Sequence, residues 1–523
     1  MKTPPLVTSE EMRCIEETAF AAGTTAEVLM EEAGRGIADT VEMFFPAPGT
    51  FEAHYGKGHN GGDILVAASH LAERGWRIIE RPAFPETSLA PLTAKCLARL
   101  RSLECGGKLP FKSGGKPYAL QTVIGDGLLG IGTRGAPRGE IARAIAAINT
   151  ARNERRAWVI AADIPSGLDA DTGIPAADCV TADCTATIGF AKKGLVADTA
   201  TNHVGRIAPV PLIKGGRELL APSILVHEGA ESSLPPSQYL ITSAPMPPLP
   251  YDRHKGDAGR VSLVVGSMRY PGAARLAAAA AVRGGAGLVT LFVPPDLAPI
   301  LAASCLPEAM IFPTNDIREV LHHPADAIAI GPGLGRDRNL HVSHIIAETS
   351  VPLVIDADAL SQLRVKREEL RDGVCSDSSL LSSLFSLLSP RIYTPHPGEM
   401  ERLYPRNGRT RREWARDFAT TRLAPNDILV LKGARTIVAT SDGTLFYNTT
   451  GNPGMATGGM GDVLTGVTAA FLAQKIPSLE AAKNAVYLCG RAAEIATTYT
   501  ESPESLCASD VISYLGFAMR EIS

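Results

Sequence analysis

Two α/β domains, each a mainly parallel sheet with helices on both faces, are the fold that this 523-residue sequence predicts. Three observations carry that expectation. Short apolar runs alternate with helical stretches through both halves. Glycine-rich turns follow several of those runs, at the strand ends where such sheets bind ligands. A stretch dense in proline, "LPPSQYLITSAPMPPLP", then interrupts the pattern as a linker at 231–250, which leaves domains at 1–230 and 251–523. A chain of this length also exceeds what one hydrophobic core usually organises.

Thr8 and Glu11 have capping-box spacing ahead of Met12, Ile15 and Ala19, and Thr24 with Glu27 repeats it ahead of Leu29, Ala33, Ile37 and Val41. "TFEAHYG" at 50–56 is the first strand, less apolar than a central strand should be. "WRIIERPAF" (76–84), "TVIGDG" (122–127) and "WVIAADIPSG" (158–167) read as strands running into turns. Beyond the linker come "RVSLVVGS" (260–267), an Ala-rich helix over 273–282, "GLVTLFVPP" (287–295), "AIAIGPGLG" (327–335), "PLVIDADAL" (352–360), "RIYTPHPGE" (391–399) and "DILVLKG" (427–433). In the linker, proline leaves no place for a helix or a central strand. The Ser/Leu-rich segment at 372–388 reads as an insertion on a helix hairpin without chemistry.

Lys and Arg number 51 against 55 Asp and Glu, a net charge of −4 without long runs of one sign, which argues against a nucleic-acid partner. Nine cysteines lack any CxxC spacing, so inert thiols in a reducing compartment are expected rather than a disulfide or zinc framework. The amino terminus is too polar for a signal peptide, and no uncharged apolar run reaches membrane-spanning length. A cytoplasmic protein with no membrane partner is the expectation.

The carboxyl-terminal half carries the stronger chemical signal. "GNPGMATGGMGDVLTG" at 451–466 holds six glycines around one carboxylate, Asp462, just ahead of an apolar helix. Free backbone N–H groups and the positive helix end would face an anion there, with Asp462 in the first turn beside it. "KGART" at 432–436 adds a cation and backbone donors after the strand "ILVL", and His396 stands between two prolines in "TPHPGEM". Each has a plainer alternative, since Asp also caps helices and Lys432 could lie on the surface.

With "GPGLG", "IDADAL", "TPHPGE", "KGA" and "NPGMATGGMGDVLTG" in this order, residues 252–523 resemble the NAD(P)H-hydrate dehydratases of the ribokinase-like superfamily. Those enzymes remove water from the hydrated nicotinamide ring of damaged NADH or NADPH with a nucleotide as phosphate donor. The resemblance implies a nucleotide, ADP in the bacterial fusions, held with magnesium by Lys432, Gly433, Ala434, Arg435, Thr436 and Gly461. It implies hydrate contacts at Ala258, Gly333, His396 and Asp462, with Asp462 as the base.

In the amino-terminal half, "YGKGHNGGDILVAA" (55–68) is again a glycine turn opening a helix. "GDGLLGIGTRGAPRG" (125–139) and "ADIPSGLDADTG" (162–173) bring Asp126, Asp163 and Ser166 to neighbouring strand ends. Asn60, Asp126 and Ser166 are oxygen donors of low total charge, suited to a weakly held hard cation, although each could equally serve its own turn.

With "NGGD", "DIPSGL" and "DADTG", residues 8–225 resemble the NAD(P)H-hydrate epimerases. The resemblance implies potassium on Asn60, Asp126 and Ser166. It implies hydrate contacts at His59, Asn60, Gly61, Gly62 and Asp63, at Gly130, Ile131, Gly132, Thr133, Arg134, Gly135 and Ala136, and at Asp163, the candidate for proton transfer. The family often has Asn in place of His59 and Gly in place of Ile64. Together the halves resemble bifunctional bacterial hydrate-repair enzymes, and the implied architecture is two three-layer α/β/α domains, Rossmann-like and then ribokinase-like. NADH and NADPH hydrates with ADP are then the substrates, and a homo-oligomer is expected. A hydroxymethylpyrimidine, thiazole or sugar-like kinase with a non-catalytic nucleotide-binding amino-terminal domain stays open at this point. A dinucleotide-dependent oxidoreductase lacks its βαβ fingerprint here.

Overall fold

A computed structural model describes residues 3–104, 121–133, 135–214, 217–218, 237–335, 341–363 and 389–522. Arg134, the 372–388 insertion and residues 231–236 of the predicted linker lie outside the described residues. The chain forms two compact units, residues 4–240 and residues 241–523 with 1–3. The division falls inside the predicted linker, within a strand, Gln238–Ile241, at a sheet edge.

The first unit opens with helices α1 (Ser9–Ala21) and α2 (Ala26–Phe44). Thr8 and Glu11 form the predicted capping box. The cap of α2 falls one residue later than predicted: Thr25 accepts from the Val28 N–H, while the Thr24 N–H closes the end of α1 on the Ala19 carbonyl. Strand β1 (Thr50–Tyr55), α3 (His59–Glu73), β2 (Arg77–Pro82), α4 (Pro91–Glu104), β3 (Thr122–Gly127), α5 (Glu140–Arg155), β4 (Trp158–Ala162), β5 (Cys184–Ile188) and β6 (Arg206–Val210) follow. Their sheet runs β2-β1-β3-β4-β5-β6, all parallel.

Alternation along β3 and β4 sends Val123 and Ile160 into a core under α2, α3 and α4, and Ile124, Val159 and Ala161 into a second core under α5, so the sheet is covered on both faces. The polar residues of β1 are accommodated, not exposed. Buried Glu52 is held by His54, by Arg155 at 2.9 Å and by Arg81 at 3.2 Å, and these partners keep its carboxyl well below the usual range. Ile64 fits because β3 presents glycines to it: a Cβ on Gly127 would sit 2.6 Å from Ile64 Cγ1.

In the second unit, the strands Arg260–Val264, Leu288–Val293, Ala309–Pro313, Ala327–Ile330, Leu353–Ile355, Arg391–Tyr393 and Ile428–Leu431 all pair in parallel. The Arg260–Val264 strand lies between Leu288–Val293 and Ala327–Ile330. Two antiparallel strands, Ile437–Thr440 and Leu445–Asn448, extend the sheet beyond Ile428–Leu431. The Ala-rich helix spans Pro271–Arg283 and lies against the helix Met460–Ala473. Their backbones approach closely because Gly466 has no side chain: a Cβ there would meet the Ala277 carbonyl at 2.3 Å.

Candidate active sites

In each unit the chain leaves one strand, builds outward on one side, and returns to build on the other. The reversal lies between β1 and β3 in the first sheet, and between Arg260–Val264 and Ala327–Ile330 in the second. Neighbouring connections there leave toward opposite faces and open a crevice at the carboxyl ends of the strands. Most of the predicted site residues fall at these two places.

In the second unit a cavity of about 430 Å³ is lined by Arg269, Tyr270, Pro271, Gly272, Ala273, Gly333, Asp358 and Asp462. Gly333 has a φ of +61° and lies so close to the start of the Ala-rich helix that a Cβ would be 2.8 Å from Ala273 Cβ. Ser267 Oγ donates to its carbonyl at 2.8 Å, and Asp358 receives the Gly335 N–H at 2.9 Å, which fixes the glycine loop.

Asp462 is in the first turn of Met460–Ala473, entered through Gly459 at a φ of +91°. Burial, reinforced by the charge of Asp356 and opposed by Lys432, pushes its carboxyl up to about 6. Lys432 Nζ reaches Asp356 Oδ1 at 2.6 Å and Glu399 Oε2 at 3.7 Å, and Thr465 Oγ1 donates to Asp356 Oδ2 at 2.9 Å. Burial works against the Lys432 charge, but these carboxylates outweigh it and hold its pKa above the usual lysine value. A Cβ on Gly461 would be 3.3 Å from Lys432 Nζ, so that glycine, the lysine and Asp462 share one corner. The 432–436 loop is steadied by Arg411, which donates to the carbonyls of Ala434 at 2.6 Å and Lys432 at 3.3 Å. Gly433 and Arg435 both have positive φ, and Thr436 Oγ1 donates to the Gly433 carbonyl at 3.1 Å.

One predicted contact takes another place. Ala258 precedes the strand Arg260–Val264 and receives the Gly287 N–H on its carbonyl. It is therefore at the amino end of that strand, about 16 Å of strand away from the edge where Gly333 and Asp462 sit. The alanine lining the cavity is Ala273. His396 is half exposed and stays at the Lys432 corner: its Nε2 lies 3.3 Å from Glu399 Oε1, while its Nδ1 caps the helix Pro397–Leu403, accepting from Gly398 at 3.0 Å.

In the first unit, Asn60, Asp126 and Ser166 do converge. Asp126 is fully buried and accepts from Ser166 Oγ at 2.6 Å, the Ser166 N–H at 2.8 Å and the Leu128 N–H at 3.2 Å. Burial raises its pKa against the pull of those donors. Asn60 Nδ2 donates to the Leu129 carbonyl at 2.7 Å, and the Leu129 N–H returns to Ser166 Oγ at 3.0 Å. His59 is the exposed first residue of α3. Gly61 and Gly62 are required by packing: a Cβ would meet the Gly56 carbonyl at 2.4 Å and Met30 Sδ at 2.5 Å. Gly130 lies beside Asn60, Ile131 packs against the α1 cluster, and Gly132, Thr133, Gly135 and Ala136 are exposed along the rim. Asp163, at a φ of +64°, accepts the Ile188 N–H at 3.0 Å and is ion-paired with Lys192.

Residues 261–514 match the family model for NAD(P)H-hydrate dehydratase, and residues 26–194 match that for the YjeF-related protein N-terminus. The bifunctional NAD(P)H-hydrate repair enzyme Nnr of Moorella thermoacetica is 33% identical over 555 residues, covering 99% of this chain and 97% of its own. This chain belongs to the bifunctional NAD(P)H-hydrate repair enzyme family. Members from Gloeobacter violaceus and Coxiella burnetii are 34% and 31% identical, over 90% and 98% of this chain and 89% and 98% of theirs. A solved ADP/ATP-dependent NAD(P)H-hydrate dehydratase from Bacillus subtilis is 30% identical, with a TM-score of 0.45, over 54% of this chain and 95% of its own.

Within this repair-enzyme chain, sequence reasoning passed over Asp356, Glu399, Thr465, Arg411 and Lys192. Asp356 and Glu399 stand inside the quoted motifs "IDADAL" and "TPHPGE", Asp356 directly after its strand and Glu399 in the first turn of the helix that follows the next one, and a search for acids in those motifs would have found them. Arg411 and Lys192 carry no local signal, because what they touch is distant in sequence.

Proposed function

We propose that the amino-terminal unit interconverts the R and S hydrates of NADH and NADPH, and that the carboxyl-terminal unit dehydrates the S hydrate as ADP is converted to AMP and phosphate. The observation that carries this reading is Asp462, a partly buried base facing a cavity of about 430 Å³ and adjoining the corner formed by Gly461 and Lys432. A volume of that size suits a small-molecule site. Lys432 and the backbone donors of 432–436 and Gly461 would hold the nucleotide phosphates, while Asp462 takes the proton of the ring hydroxyl. That oxygen attacks the terminal phosphorus, AMP leaves, and elimination of the new phosphate ester restores the dihydropyridine.

Magnesium fits this donor set. Among the described residues no group of three or more His, Cys, Asp or Glu is arranged to hold a metal alone. Magnesium commonly takes only one or two carboxylates beside nucleotide phosphates, and Asp356 and Glu399 would supply them. When bound it would neutralise charge on the transferring phosphate. Potassium fits the first unit, where Asn60 Oδ1, Ser166 Oγ and the Leu129 carbonyl are oxygen donors around a single carboxylate, Asp126.

The test mixes both hydrate epimers with ADP or ATP and follows recovery of dihydronicotinamide absorbance, with potassium present or replaced by sodium. Wild type should recover both epimers, Asp163→Asn only the S form, and Asp462→Asn neither. A stable phosphorylated product without recovered absorbance would instead show a small-molecule kinase.

A further inference from the structure

The buried ion pair at the end of β4 is more than a structural tie. Lys192 is 1% exposed, and its Nζ contacts Asp163 and donates to the Ile188 carbonyl at 3.1 Å. Its inward direction is set by the backbone. Val7 N–H donates to the Ala191 carbonyl and Lys193 N–H to the Val7 carbonyl, so successive side chains point to opposite sides. Lys193 turns outward to Glu11 at 3.2 Å, and Lys192 turns inward to the site.

We infer that Lys192 is the positioning residue for epimerisation, holding Asp163 aimed so that this one carboxylate shuttles the proton that opens and recloses the hydrated ring. The inference rests on the epimerase reading of the Asp163 site.

The hydrated carbon bears a hydroxyl and the ring nitrogen. Asp163 takes the hydroxyl proton, the oxygen pair forms the carbonyl, and the carbon–nitrogen bond breaks with its electrons going to nitrogen. Asp163 then returns the same proton to that nitrogen. Rotation about the adjacent carbon–carbon bond presents the other carbonyl face, and the reverse steps close the ring as the other epimer. One proton moves and returns, without any oxidant or co-reactant. The two atoms it travels between share one carbon, within reach of a single carboxylate.

This scheme needs Asp163 charged among other acids. Asp63 of α3 and Glu16 of α1 both face it, and Arg13 acts on Glu16 while Cys96 of α4 faces Asp63. Burial, with the charges of Asp163 and Glu16, raises the Asp63 pKa well above its usual value, and burial raises that of Glu16. Lys192 opposes both, and it is the cation in direct contact with Asp163. Without it Asp163 would keep only the Ile188 N–H to fix its direction among these acids.

The experiment compares Lys192→Met, Lys192→Arg and Asp163→Asn in the full chain, with epimerisation and dehydration read separately on R and S hydrates across pH. Lys192→Met should lower the epimerisation kcat on the order of 10²-fold at neutral pH, with a much smaller change in KM. Lys192→Arg should restore much of the rate, and dehydration of the S hydrate should be unchanged, which also reports that the chain is folded. A wild-type kcat in Lys192→Met, or a loss in Lys192→Arg as large as in Lys192→Met, would overturn the inference while leaving the epimerase site in place. Full epimerisation by Asp163→Asn would instead sink the site reading itself.

Discussion

Replacing Asp462 by Asn should make the carboxyl-terminal unit more stable while removing its activity. Burial and the charge of Asp356 lift the Asp462 carboxyl from 3.8 to about 6 against the pull of Lys432. At about 1.36 kcal/mol per pH unit, that difference is worth about 3 kcal/mol. Because the folded value is the raised one, the stabilisation from the bound proton is complete below the unfolded value of 3.8 and is lost as the pH rises through about 6. At pH 7.5 the wild type therefore carries the whole cost, whereas Asn has nearly the same volume and no charge at any pH.

The expected gain is up to about 3 kcal/mol at neutral pH, shrinking towards zero near pH 4. For a domain of this size roughly 2–4 °C of Tm accompany each kcal/mol, so melting should rise by several degrees. The assay is thermal unfolding of both proteins at a series of pH values, paired with dehydration of the S hydrate. The variant should lose roughly 10²- to 10⁴-fold in rate, the usual worth of a general base, and the wild-type rate should fall below about pH 6. Equal melting temperatures at pH 7.5, or a wild-type rate that stays flat down to pH 5, would refute the reasoning.

Other expectations follow from close contacts. Gly61→Ala would drive a Cβ to 2.4 Å from the Gly56 carbonyl; it should cost about 1–3 kcal/mol in the first unit and slow epimerisation, with dehydration of the S hydrate as the unaffected control. Arg411→Ala releases the carbonyls of Ala434 and Lys432, so the KM for nucleotide should rise several-fold with the hydrate KM little changed, as initial-rate kinetics would show. Ala273→Leu should block the cavity and raise the hydrate KM, whereas Ala258→Ser at the other strand end should leave dehydration as it is; the reverse pattern would put the hydrate elsewhere.

The difference between Ala273 and Ala258 shows which part of these sites was legible in the sequence. Strand ends followed by glycine turns announce where a parallel sheet binds its ligand, and Asp462, Gly333, Lys432, Asn60, Asp126, Ser166 and Asp163 all came from such turns. Ala258 did not, since it precedes its strand, and nothing in an alanine's local sequence tells which edge it faces. His396 was legible from its two prolines, which hold it at the start of the helix Pro397–Leu403, beside Glu399 at the Lys432 corner. Arg411 and Lys192 were out of reach because their partners become neighbours only after the sheet forms. The polar first strand was legible only as a misfit, since the arginines that neutralise Glu52 come from β2 and α5.

The two glycine loops answer to different physical demands although they look alike as text. At Gly61 and Gly62 any side chain would collide with the protein's own Gly56 carbonyl or Met30, so these glycines are already needed to set α3 against β1 and α2. At Gly458 a Cβ would meet nothing within 4 Å, and at Gly461 it would approach Lys432 Nζ and Asp356. Packing explains the first pair and leaves the second unexplained, so the entropy spent on Gly458 and Gly461 is the better evidence of a ligand whose phosphates must approach the backbone. A side chain at Gly458 should therefore be tolerated by the fold and not by nucleotide. Gly458→Ala is expected to melt as wild type does while its KM for ADP rises, and an unchanged KM would remove the phosphate argument from that loop.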